Sequence, residues 1–162
     1  RLDLLRGYAG LARPLLGAAR ADTVRLDGMR VRIPGPVSVR ASVLAGTVRV
    51  RKLIDAVVRG GDVVVDVGAN VGCVAACAAA RVGAGGRVFA LEPAEDNLVV
   101  LRENLCVNRL SQVEVLPVAA GATADVRQFF VRGELSAVNS LFPESCYAAV
   151  TRIVTVPVVP LD

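Results

Sequence analysis

Two places in this 162-residue sequence carry side chains whose types and spacing suit the grip of a small charged ligand. The first is the run Asp66-Val67-Gly68-Ala69-Asn70-Val71-Gly72. Gly68 and Gly72 lack a Cβ, so a ligand can approach the main chain there and the backbone can enter conformations closed to other residues. Exposed N–H groups where a helix follows this run suit an anionic group such as a carboxylate. Asn70 adds an amide that both donates and accepts, and Asp66 suits a cationic group such as an amine. A ligand with an amino acid moiety, carrying both charges, fits this pair better than a pyrophosphate does. The second place is Glu92, 24 residues beyond Gly68. A carboxylate there, at the end of a neighbouring strand, can accept hydrogen bonds from both hydroxyls of a ribose.

These residues act together only if the elements around them form an open parallel sheet. Val63–Val67 is an apolar, β-branched run, expected as a strand covered on both faces. Val71–Val82 reads as an Ala-rich helix closed by Gly83–Gly86, and Arg87–Leu91 as a second buried strand. Ala94–Val107 reads as a helix with Leu98, Leu101 and Leu105 on one face and Asn108 at its cap, followed by a third strand at Val113–Val118. This alternation predicts an α/β fold, a Rossmann-like doubly wound, mostly parallel sheet. Ligands in such sheets sit beyond the carboxyl ends of the strands, where both Asp66–Gly72 and Glu92 fall. After Gly121 the alternation stops, with strands expected at Val126–Val131 and Arg152–Val159 around an irregular stretch through Asn139-Ser140-Leu141.

Residues 1–60 read as an N-terminal helix and hairpin extension, and residues 61–162 as the nucleotide-binding domain. Leu2, Leu5, Leu11, Leu15 and Leu16 suggest short amphipathic helices broken by Pro14. Thr23–Ile33 alternates around Asp27-Gly28, a hairpin signal, and Val48–Val58 reads as a helix. Three parallel strands are few for a doubly wound sheet, and Arg1 is not an initiator. The expectation is therefore that residues are missing at the start and that part of the domain lies beyond Asp162.

Composition narrows the class. Mean hydropathy of +0.54 and a hydrophobic share of 54% rule out a disordered chain. The most apolar window, Val63–Ala80, holds Asp66 and Asn70, so no transmembrane segment is expected. Residues 1–60 carry twelve basic and four acidic side chains, against seven and eleven in residues 61–162. That basic third has a single aromatic, Tyr8, so the stacking platforms of a single-strand binder are missing and no nucleic acid partner is expected. Of the four cysteines, Cys73 and Cys77 share a helix face and Cys106 and Cys146 stand apart; none forms a CxxC pair, and the sequence has no histidine. No metal site follows, and free core thiols suit a reducing cytoplasm.

The nucleotide itself can be narrowed. A dinucleotide fingerprint requires GxGxxG directly after the strand, but the letters here are GANVG preceded by Asp66. An aspartate beside a pyrophosphate is also electrostatically awkward. NAD(P), and with it an oxidoreductase, therefore ranks below S-adenosylmethionine. The runs GDVVVDVGANVG, FALEP and NLVVLRENLCVN resemble the FkbM family of methyltransferases, and the resemblance extends from about Gly61 to Asp162. It implies S-adenosylmethionine-dependent methyl transfer, usually to a hydroxyl oxygen on a sugar or secondary metabolite, so that the partner would be a small-molecule or glycan acceptor. It also implies that Asp66, Gly68, Ala69, Asn70 and Gly72 cradle the methionine part, that Glu92 holds the ribose, and that Pro93, Ala119 and Ala120 border the adenine. Many related enzymes place a polar side chain after the third strand to meet the adenine amino group. This chain has Ala119 and Ala120 there, so a backbone group would have to serve.

No catalytic residue is singled out. A sulfonium leaving group needs no proton, and alignment supplies much of the rate. A base for an alcohol acceptor would be a carboxylate, Tyr8, Tyr147 or Lys52, none with distinguishing context. A non-catalytic nucleotide-binding module remains the third reading beside methyltransferase and oxidoreductase. The acceptor and the oligomeric state are not legible in the residues.

Overall fold

The structure, a computed structural model, describes residues 22–133, 139–144 and 149–161. The amphipathic segment expected over residues 1–20, with Tyr8, lies outside them, as do Cys146, Tyr147 and Asp162.

The described chain opens on the expected hairpin, β1 (Thr23–Leu26) and β2 (Met29–Arg32), paired in register Leu26↔Met29. Asp27 (φ 51°) and Gly28 (φ 81°) both take the left-handed conformation that a tight two-residue hairpin turn requires. Helix α1 (Val37–Val57) then starts behind Pro36, eleven residues before the expected Val48. Its first half, VSVRASVLAGT, mixes β-branched residues with Gly46 and so hides its helical period; tertiary packing of Leu44 and Thr47, both 2% exposed, decides it.

The central layer follows the predicted alternation: β3 (Val63–Val67), α2 (Cys73–Val82), β4 (Arg87–Leu91), α3 (Glu95–Val107) and β5 (Val113–Leu116). The strands form a parallel sheet in the order β3-β4-β5, with Val64↔Val88↔Val113 and Asp66↔Ala90↔Val115 in register. The backbone of the α/β expectation therefore stands. Helix α2 begins two residues later than expected, because Gly72 at its N-cap is left-handed (φ 85°). Gly86 allows the close turn into β4; a Cβ there would lie 2.5 Å from the Asp62 carbonyl oxygen and from Val82 Cβ.

The three helices of the described residues contribute to the core over one face of this sheet, where Ile54, Ala78, Val82, Leu101 and Leu105 meet Val88 and Ala90. The expectation that β3 is covered on both faces does not hold among the described residues. Val63, Val65 and Val67 are 64%, 48% and 53% exposed, because they alternate away from the helix-covered face.

The third strand also departs from its expected length. It stops at Leu116, since Pro117 has no N–H for the ladder. After Val118 the chain continues as β6 (Ala119–Ala120) in a second sheet, ordered β6-β8-β7, with β7 (Asp125–Val131) and β8 (Arg152–Val159). β6 runs parallel to β8, and β7 antiparallel to it. Phe129, Val131, Val156 and Val158 form this sheet's own core against Ala94 and Ala119.

Candidate functional site

The carboxyl ends of β3 and β4 meet at one rim. The N–H groups of Gly68 and Ala69 both donate to the Leu91 carbonyl at 2.9 Å, which ties the turn after β3 to the end of β4. The backbone N–H of Asn70 donates to Glu92 Oε2 at 2.8 Å, and that of Ala94 to Oε1 at 2.9 Å. The two places singled out by their chemistry are therefore in direct contact. Asn70 is itself left-handed (φ 52°), and its Oδ1 accepts the Val71 N–H at 2.8 Å, a local bond that offsets the strain.

The turn was expected to present a row of exposed N–H donors. Instead Gly68, Ala69, Asn70, Val71 and Gly72 all donate within the protein, to Leu91, Leu91, Glu92, Asn70 and Ala69. What the turn offers a ligand is the bare Cα of Gly68, where φ is 76° and an added Cβ would meet nothing within 4 Å, together with the polar side chain of Asn70.

Glu92 is 4% exposed. Burial pushes its pKa up, and the bonds from the Ala94 and Asn70 N–H groups and from the Asn97 side chain pull it back. Asp66 is pushed up to about 6, chiefly by burial; the Ala75 N–H in the first turn of α2 opposes the shift, and the nearby charge of Glu92 adds to it. Its Oδ2 is buried without a hydrogen-bond partner.

A cleft of about 310 Å³ opens on this rim. Gly68, Asn70, Glu92, Pro93, Ala119 and Ala120, six of the nine residues picked out in the sequence, line it. Asp66, Ala69 and Gly72 do not. Asp66 shares its register with Ala90 and Val115 on the helix-covered face, Ala69 is 4% exposed in the core, and Gly72 backs onto Leu101. Lys52 is exposed on α1 and is not part of the cleft.

The far side of the cleft was not foreseen. It is built by Phe129 of β7 and by Asn139, Ser140, Leu141 and Phe142. Ser140 is bridged to β7 by paired backbone bonds with Phe130, at 2.8 and 3.2 Å. Arg132, only 6% exposed, holds the segment from behind: its guanidinium donates to the carbonyls of Phe142 (3.1 Å), Pro143 (2.6 Å) and Phe130 (3.4 Å). Five donors in a rigid fork let one arginine satisfy several carbonyls of a non-repeating strand. The irregular composition around Asn139-Ser140-Leu141 was the available signal, and it carried no period to place the segment.

A parallel sheet whose strand ends converge on a buried carboxylate and a glycine turn defines a Rossmann-like nucleotide-binding architecture. The methyltransferase FkbM domain family matches residues 66–162, and the chain belongs to that family. Among solved structures it is similar to TrmN from Thermus thermophilus (30% identity over 47% of this chain and 22% of that one, TM-score 0.39). It is also similar to a SAM-dependent methyltransferase from Aquifex aeolicus (25% identity, 49% and 40%, TM-score 0.40) and to a SAM-dependent O-methyltransferase from Thermotoga maritima (22% identity, 59% and 40%, TM-score 0.40). The chain thus spans at most 40% of the length of these three proteins. A search of curated proteins gave no match. Among the described residues, no helix is long and apolar enough to cross a membrane, and no cluster of three or more His, Cys, Asp or Glu could hold a metal ion.

Proposed function

We propose that residues 61–162 form the cofactor-binding part of an S-adenosylmethionine-dependent methyltransferase, with residues 1–60 as its helix and hairpin extension, acting on a hydroxyl group of a small molecule or glycan. The observation that carries this reading is the 2.8 Å contact between the Asn70 N–H and Glu92 Oε2, at the floor of one cleft. A single nucleoside with an amino acid tail can touch both. The residues present fit such a ligand. Gly68 leaves space that a Cβ would fill, and Val67, Pro93, Val118 and Phe129 give the cleft apolar walls. A carboxylate has about four acceptor sites, so Glu92 keeps one of them for a ribose hydroxyl beside the three donors it already meets. In this arrangement Gly68 and Asn70 border the amino acid end, Glu92 the ribose, and Pro93, Ala119 and Ala120 the base.

When bound, S-adenosylmethionine supplies a methyl group on a sulfonium. The chain's contribution is to fix the nucleoside, by the tether between the β3 turn and β4, and to keep water from the apolar walls. Glu92 is the one ionisable side chain lining the cleft among the described residues, and its oxygens already anchor the rim. No catalytic base is assigned. The free thiols Cys73, Cys77 and Cys106 support a reducing compartment such as the cytoplasm.

The test is calorimetric titration of the 162-residue chain with S-adenosylhomocysteine and, separately, with NADH. Saturable binding of the first and none of the second is expected. NADH binding in the same range, or no binding of S-adenosylhomocysteine, overturns the reading.

A further inference from the structure

Ala119 and Ala120 carry no polar side chain, so by themselves they give the base end of the cleft nothing with which to tell one purine from another. The second sheet supplies what they lack. The cleft runs from the Gly68 turn on the first sheet to Phe129 and the Asn139–Phe142 segment on the second. A nucleoside with its ribose at Glu92 and its tail at Gly68 therefore presents its base to that segment. Two polar side chains wait there. Asn139 Oδ1 accepts the Arg132 N–H at 2.8 Å. Since a backbone N–H needs an oxygen opposite it, this bond fixes which way the amide is turned, and it leaves the Nδ2 donors for a ligand. Ser140 Oγ accepts the Phe142 N–H at 3.0 Å, and its own O–H remains a donor. Both residues are held, Ser140 through its backbone bridge to Phe130 and Asn139 through its side-chain bond from the Arg132 N–H.

We propose that Asn139 and Ser140 read the edge of the adenine base, with the Asn139 amide donating to a ring nitrogen that adenine presents as an acceptor and hypoxanthine as an N–H donor. The inference rests on the cofactor reading above. It makes the β7–β8 connection, and not the strand end at Ala119-Ala120, the source of base selectivity. An amide donor rejects hypoxanthine because two donors would face each other in a cleft where neither finds an acceptor.

The experiment is calorimetric titration of the whole chain with S-adenosylhomocysteine and with S-inosylhomocysteine, which differ only at the 6-position and N1 of the base. The parent chain should prefer the adenosyl ligand by about tenfold. Asn139→Asp keeps an oxygen for the Arg132 N–H and replaces the amide donor by an acceptor, so the preference should fall to parity or reverse. Ser140→Ala, which leaves the backbone bridge to Phe130 in place, should narrow the preference without reversing it. A merely structural role for Asn139 would weaken both ligands equally and leave their ratio unchanged, which overturns the inference while leaving the cofactor reading intact. Equal binding of both ligands by the parent chain overturns it as well. If S-adenosylhomocysteine does not bind the parent chain at all, the cofactor reading and this inference fall together.

Discussion

Glu92 has two tasks that draw on the same atoms. Its two oxygens hold the Asn70 and Ala94 N–H groups, and the same residue lines the cleft. Glu92→Gln tests the first task without changing the shape. The substituted amide must turn its NH2 toward one of the two N–H donors, so one buried bond is lost and two donors oppose each other. A loss of about 2–3 kcal/mol in urea unfolding is expected, and an unchanged midpoint would mean that the rim does not need this tether. Asp66 makes the opposite prediction. Its folded pKa of about 6 lies above the ordinary aspartate value of 3.8, so protonation favours the folded state. Its contribution is fully present below pH 4 and is lost as the pH rises through 6. Asp66→Asn removes that loss. The variant should match the parent at pH 4 and exceed it by about 2 kcal/mol above pH 7, with partial exposure discounted. The difference between the two profiles is the readout, since Glu92, also raised, keeps its own slope in both; a flat difference sinks the assignment.

At the scale of elements, α3 does more than cover the sheet. Asn104 and Asn108, one turn apart, face the free edge of β2. Asn104 Oδ1 accepts the Arg32 N–H at 2.7 Å while its Nδ2 donates to the carbonyls of Arg32 and Val71 at 2.8 Å. Asn108 repeats the pattern on Arg30, at 2.9 and 2.6 Å. Two side-chain amides thus imitate the next strand of a ladder and satisfy an edge that would otherwise stay open. Asn104→Leu leaves one buried and two part-buried backbone groups without partners and should cost about 2–3 kcal/mol by urea unfolding, whereas Asn108→Leu, at a more exposed position, should cost less. Equal, small losses would show that water replaces both amides. The sequence made the frame legible: the strand ends, the turn at Gly68 and the carboxylate at Glu92 follow from period and spacing, which are local. It did not disclose the amide ladder, because an asparagine on a helix looks like any polar surface residue until the partner strand is known. Nor did it place Asn139–Phe142, which reaches the cleft only through β7 pairing and the buried Arg132. Long-range pairing and one-off side-chain clamps have no repeat to read.

For the molecule as a whole, the question is whether residues 22–60 fold with the sheet or beside it. The contacts argue for one unit. Ile54 and Val58 belong to the same core as Ala78, Val88 and Leu101, while the hairpin residues Val24, Val31 and Ile33 pack with Leu44 and with Val71, Cys73 and Val100 from beyond residue 60. The two buried thiols report on the two clusters separately. Cys73 lies in the hairpin cluster and is pushed up to about 12 by burial; Cys77 lies in the sheet core and is pushed up to about 11, again chiefly by burial. Neither can react as a thiolate until its surroundings open. Cys106 is exposed and should label at once. In a chain carrying Cys106→Ser and Cys146→Ser, alkylation of Cys73 and Cys77 followed by mass spectrometry should proceed at one common rate, and both rates should rise together with denaturant along the global unfolding curve. If Cys73 labels much faster, with a weak denaturant dependence, the hairpin and α1 open as a separate unit, and the extension is a clamp on the β3–β4 rim rather than part of its foundation.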